Sequence, residues 1–170
     1  MWWFKKSLLL SIIVLSVTSC GFKPLYAKNQ TNMDQDYACL LAQIELLEPA
    51  TQEAQAVYVP LHDMLCNYCN RDVTNKYRLN FHVAKYTKPV LVFRTGDATR
   101  RNVVIKVDFT LIDLVTHEIL LKGVVRNSSG YNTLDSPFTE FISLTDAIHN
   151  TSKQNAQDIM FRINNYFKNQ

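Results

Sequence analysis

Glycine is scarce in this 170-residue chain, which has four. That excludes a glycine-rich phosphate cradle, and neither G-x-G-x-x-G nor G-x-x-x-x-G-K-[ST] occurs. G-x-S-x-G and H-E-x-x-H are missing as well. The histidines His62, His82, His117 and His149 are scattered, with no acid or nucleophile at a telling offset. The chain therefore reads as a non-enzyme with no cofactor motif. It also lacks an apolar run long enough for a spanning helix, which needs roughly 20 residues. The N-terminal run Leu8 to Val17 is ten residues, broken by Ser11 and Ser16.

What is present at that end is a lipoprotein export signal. Lys5 and Lys6 precede the apolar run, and Val17-Thr18-Ser19-Cys20 is a small-residue cleavage site ending in cysteine. Residues 1–19 are expected to be removed, leaving Cys20 to carry a diacylglyceryl group on sulfur and a further acyl chain such as palmitate on its amine. Two or more chains hold a protein on a membrane far more firmly than one. Position +2 is Gly21 and not Asp, which suggests sorting to the outer membrane. Residues 20–38 then read as anchor and polar tether, and 39–170 as one domain.

Strong charge of one sign is missing too. Without the signal peptide, 16 basic residues face 15 acidic ones, a balance of +1. That argues against a general nucleic-acid binder. The charge is uneven, however. Ala27 to Asn75 holds two basic and seven acidic residues, whereas Lys76 to Arg126 holds ten and four. The middle third is either a solvated sheet face or a surface for an anionic partner such as a lipid phosphate. With Cys20 acylated, Cys39, Cys66 and Cys69 remain, so one pair among them at most can form a disulfide.

Hydrophobic periodicity predicts an α+β two-layer sandwich. One mainly antiparallel sheet of about four strands carries two helices on one face. Gln43 to Leu47 is a short strand. Thr51 caps a helix with the stripe Val57, Leu61, Met64, Leu65 and Tyr68, which Pro60 should kink or restart. Tyr77, Leu79, Phe81 and Val83 alternate with polar residues, and Val90 to Phe93 continues the sheet after Pro89, as a separate strand or past a bulge. Gly96 to Thr99 is a turn. Val103 to Leu111 and Ile119 to Val125 form a hairpin about Thr116-His117. Ser136-Pro137 starts a last helix with a capping hydroxyl, and Asn150-Thr151-Ser152 is a candidate break in it.

Certain residues carry a resemblance. Cys20-Gly21-Phe22-Lys23-Pro24-Leu25-Tyr26, the run Gly96 to Arg101, Thr110-Leu111-Ile112-Asp113, Leu120 to Gly123, Tyr131-Asn132 and Asp146-Ala147 are similar to the LPS-assembly lipoprotein family (LptE), alphaproteobacterial branch. The resemblance implies an outer-membrane lipoprotein on the periplasmic side. It would pair with the β-barrel LptD as plug and assembly partner and help deliver lipopolysaccharide to the cell surface. The chain departs from the family at the hairpin turn, where Thr116-His117 replaces a common Thr-Gly. His117 must then take a strained positive φ, or the turn must differ.

Arg100, Arg101, Lys122 and Arg126 are the candidate lipopolysaccharide phosphate contacts. If the strands pair as drawn, Arg100 and Arg101 approach Arg126 at the open end, while Lys122 projects from mid-strand. Clustered guanidiniums suit bidentate phosphate contacts, and the bland reading is strand-end solvation. Cys66-Asn67-Tyr68-Cys69 is a C-x-x-C, but it sits near a helix end whose dipole opposes thiolate formation. His62, Cys66 and Cys69 share one helical face and lack an evident fourth metal ligand. Two further classes stand beside the first reading: an accessory or pilot lipoprotein of another envelope lipid-transport or secretion complex, and a periplasmic redox or metal protein that needs both cysteines.

Overall fold

The computed structural model describes residues 40–66, 74–92, 98–133 and 136–169, with backbone alone at 91–92 and 98–99. The predicted signal peptide, Cys20 and the predicted tether, Cys39, Cys69 and most of the predicted Gly96 turn lie outside the described residues. Those described all belong to one compact unit, Asn32–Gln170. A helical turn at 40–42 leads into strand β1, Ile44–Leu46. Helix α1 (Gln52–Cys66) follows, then strands β2 (Tyr77–Val92), β3 (Ala98–Asp113) and β4 (Ile119–Asn132), and helix α2 (Pro137–Lys168). The sheet order is β1-β2-β3-β4, with β1 parallel to β2 and the other neighbours antiparallel. This is the α+β two-layer fold that the periodicity predicts.

The helix starts show how local chemistry and packing divide the work. Thr51 Oγ1 accepts the Ala54 N–H at 3.2 Å, the expected N-terminal cap, with Glu53 in the first turn. Pro60 does not restart α1, which runs unbroken from Gln52 to Cys66. Proline forfeits one backbone bond there, but Val57, Leu61 and Leu65 are buried on both sides of it and hold the segment to the core. Pro137 begins α2 as expected, yet the Ser136 hydroxyl makes no capping bond.

Asn150-Thr151-Ser152 does not divide α2, a single helix of 32 residues. Thr151 Oγ1 donates to the Ala147 carbonyl at 2.7 Å, so the hydroxyl is satisfied inside the helix. Thr151 and Ser152 are themselves buried in the stripe that runs from Ala147 to Phe167. Packing of that stripe overrides the weak helix propensity of the triplet.

In β2 the sheet continues past Pro89 through register shifts between Pro89 and Val92, so the two predicted segments are one strand with a bulge. At the β3–β4 turn His117 adopts φ 59°, the conformation that glycine takes at no steric cost. Asp113 Oδ1 steadies the turn by accepting from the N–H groups of Val115 (2.7 Å) and Thr116 (3.1 Å).

The core lies between the helices and one sheet face. Val103, Ile105, Val107, Phe109 and Leu111 of β3 point into it with Leu79, Val125 and Tyr131. Gly123, paired with Phe109, is required for space: a Cβ there would lie 2.7 Å from the Phe109 ring and 3.1 Å from Arg162 Nη1. Gly123→Ala is expected to lower stability by about 1–3 kcal/mol, the usual cost of overpacking. Urea midpoints would measure it, and Phe109→Leu in the same chain should restore part of the loss. An unchanged midpoint would mean that the ring moves aside freely.

Candidate functional site

Side chains of a strand alternate between faces, and the register fixes who stands beside whom. Both helices cover the face that carries Leu79, Phe109 and Val125. α1 reaches Lys85 through Glu53, at 3.1 Å, and α2 reaches the Ile105 carbonyl through Asn155, also at 3.1 Å. The opposite face carries no described element. It presents Arg78, His82, Tyr86 and Lys88 from β2, then Arg100, Asn102, Lys106 and Asp108 from β3. β4 adds Lys122, Val124, Arg126 and Ser128.

This open face is cationic. Among the described residues two acids stand on it, and each is engaged. Glu45 Oε2 accepts from Arg78 at 3.1 Å, and Asp108 Oδ2 accepts from Lys106 at 3.0 Å. Among the described residues no carboxylate pairs with Lys88, Arg100, Lys122 or Arg126. At the centre the Tyr86 ring lies 5.3 Å from Lys88 Nζ and 5.5 Å from Arg126 Cζ. Val104, paired with Tyr86 and Ser128, is 5% exposed on this same face. The aromatic ring and the long cationic stems thus shield an apolar floor.

Arg100 is positioned by an absence. Its guanidinium lies where a side chain at position 130 would stand, for a Cβ on Gly130 would meet its Nε and Nη2 at 3.0 Å. Toward the hairpin, Asn80, Thr110 and Lys122 line a cavity of about 270 Å³. Among the described residues the buried Asn80 Oδ1 has no hydrogen-bond partner, an acceptor available to a hydroxyl or ammonium group.

The structure corrects the predicted cation cluster. Arg100 and Arg101 pair with Asn132 and Tyr131, whereas Arg126 pairs with Lys106. Six residues of β3 separate Arg100 from Lys106, roughly 20 Å, so Arg100 and Arg126 do not converge. Arg101 has the parity of Val103 and belongs to the helix-side face, exposed at its end. The error arises because Asn127-Ser128-Ser129-Gly130 reads as a strand end yet is strand to Asn132. Asn127 holds that stretch by donating to Asn155 Oδ1 (3.1 Å) and Asp158 Oδ2 (2.7 Å) on α2. Arg100, Lys122 and Arg126 do share the open face. Tyr86, Lys88 and Lys106 belong with them and escape the motif reading. Carrying the two-residue period of β2 past Val83 would have placed the first two.

Cys66 lies at the end of α1, its Sγ 3.4 Å from His62 Nε2, and the His62 ring stacks on Tyr58 with centroids 5.4 Å apart. Among the described residues no group of three or more His, Cys, Asp or Glu side chains converges as a metal site would require.

No protein-family model and no curated protein matches the sequence. Solved structures do match. A candidate lipoprotein of Caulobacter crescentus CB15 superposes with a TM-score of 0.65 at 19% identity, over 79% of this chain and 96% of that one. For the rare lipoprotein B of Shewanella oneidensis the TM-score is 0.56 at 13% identity, over 74% and 95% of the two chains. An uncharacterized lipoprotein B of Nitrosomonas europaea gives 0.58 at 13%, over 74% and 83%. At such identities the likeness shows the fold, and this chain has the fold of those lipoproteins over 83–96% of their length.

Proposed function

We propose that the chain is an outer-membrane lipoprotein of the LptE kind, anchored through Cys20 on the periplasmic side. In this reading it pairs with an LptD-type β-barrel as plug and assembly partner in lipopolysaccharide transport. The observation that carries the reading is the cation-bearing sheet face that no described element covers. A polar face of this breadth is compatible with the wet lumen of a large barrel. Its guanidinium and ammonium groups, several without a carboxylate partner among the described residues, suit the phosphates of lipopolysaccharide. The likeness of fold to lipoproteins B supports the same reading, as does the lipobox ending at Cys20. Tethering at that cysteine would raise the effective concentration of the domain beside its barrel.

The test is affinity purification of the tagged lipoprotein from detergent-solubilised envelopes, with mass spectrometry of what accompanies it. A stoichiometric LptD-type barrel is the expected result. Recovery of the acylated protein from the outer membrane without a barrel would overturn the partnership and favour the accessory-lipoprotein class.

A further inference from the structure

β1 covers three residues of a sixteen-residue neighbour. Ile44, Glu45 and Leu46 pair with Tyr77, Arg78 and Leu79, and from Asn80 onward the outer edge of β2 carries no strand among the described residues. The Tyr77 N–H donates to the Gln43 carbonyl at 3.1 Å, toward β1, whereas the Lys76 carbonyl accepts from Leu114 on the β3 side. With a period of two, the main-chain groups of Phe81, Val83, Lys85 and Thr87 also point outward. A long edge of this kind is a template for an added strand.

A cavity of about 330 Å³ lies where β1 leaves the sheet. It separates the start of α1 from β2, and its apolar wall includes Leu47, Pro49, Ala54, Phe81 and Val83. It is placed to take side chains projecting from the edge toward the helix layer. β1 itself shows what chemistry suits this edge. Ile44 and Leu46 face the helix layer, while Glu45 faces the open side and binds Arg78 at 3.1 Å. Beyond Leu46 the next open-side residues of β2 include His82 and Lys88, both exposed, and no carboxylate pairs with Lys88 among the described residues. A strand continuing the apolar–acidic alternation of β1 would fill the cavity on one side and meet the Lys88 ammonium and the polar His82 ring on the other.

We propose that the free edge of β2 from Asn80 to Lys88 takes an extended segment of a partner protein, alternating apolar and acidic residues, as an added strand in line with β1. Main-chain bonds to Phe81, Val83 and Lys85 supply affinity, and the cavity and Lys88 supply selectivity. The proposal does not depend on lipid binding by the open face.

The probe is a labelled ten-residue peptide of alternating valine and glutamate, titrated into the whole mature chain by fluorescence anisotropy, with amide shifts recorded by NMR. Binding is expected, with the largest shifts at Phe81, Val83 and Lys85. Val83→Pro removes an outward donor and no bond to β3, a change an edge strand tolerates, and should weaken binding at least tenfold. Ala54→Trp fills the cavity from α1, leaves β2 untouched and should do the same. A valine–lysine peptide should bind at least tenfold more weakly than valine–glutamate. No binding, or equal binding by the two variants and the wild type, overturns the proposal. So does a homodimer dissolved by Val83→Pro, which would make a second copy the occupant. Binding seen only after removal of residues 27–38 overturns it too, since the chain's own tether would then cover the edge.

Discussion

Replacing Arg100, Lys106 and Arg126 together by glutamate is expected to weaken the proposed lipopolysaccharide binding about 100-fold, while Arg101→Glu leaves it within a factor of about three. The three residues share the open sheet face, and Arg101 belongs to the other. A hydrogen bond to a charged group contributes about 1.5–3 kcal/mol, and 1.4 kcal/mol is tenfold in affinity. Three such contacts would exceed 1,000-fold at face value. All three side chains are solvent-accessible, so screening lowers the expectation to about 100-fold. Lys106 also holds Asp108, which reversal frees to repel the ligand.

Surface plasmon resonance on immobilised lipopolysaccharide at two salt concentrations would measure the effect, with circular dichroism to verify the fold. Dephosphorylated lipopolysaccharide should bind wild type and variant alike. If the folded triple variant binds the phosphorylated ligand as wild type does, the open face is not the lipid site, and its cations are ordinary strand solvation.

Asn155→Ala is expected to cost about 3 kcal/mol of stability, a large share of the 5–15 kcal/mol typical of a domain. Asn155 is wholly buried. Its Nδ2 donates to the Ile105 carbonyl at 3.1 Å, and its Oδ1 accepts from Asn127 at 3.1 Å. Truncation leaves the carbonyl without this donor, a penalty of about 1–3 kcal/mol, and opens a void in the buried stripe of α2. Asn127 keeps Asp158, so its share of the loss is small. Asn155→Leu should destabilise nearly as much, because filling the volume does not answer the carbonyl. Midpoints of urea unfolding for the two variants decide the matter. A loss under about 1 kcal/mol in both would mean that the network does not hold α2 on the sheet.

The same network explains what could and could not be read from the residues alone. Asn127 looks like a turn residue, with Ser128, Ser129 and Gly130 behind it, and strand propensity alone ends β4 before it. Its hydrogen bonds to Asn155 and Asp158 join positions 28 and 31 residues apart, a relation no local pattern carries. Extending β4 to Asn132 then moves Arg126 opposite Lys106, away from Arg100, and so redraws the site. Pro60 and the Asn150 triplet follow the same logic. Each weakens a helix locally, and each is overruled by buried neighbours on the same stripe.

Period-two alternation in β3 and helical stripes in α1 and α2 were legible because a half-buried element must repeat its apolar residues at its own geometric period. The sheet-and-helix class follows from that, together with the Thr51 cap and the start at Pro137, while the choice between a positive φ at His117 and a different turn was left to the structure. Which cations share a face, where β4 ends, and where β1 stops along β2 were decided by the tertiary structure. Those features depend on strand register and on side-chain bonds between distant segments, and neither is encoded in any short stretch of chain.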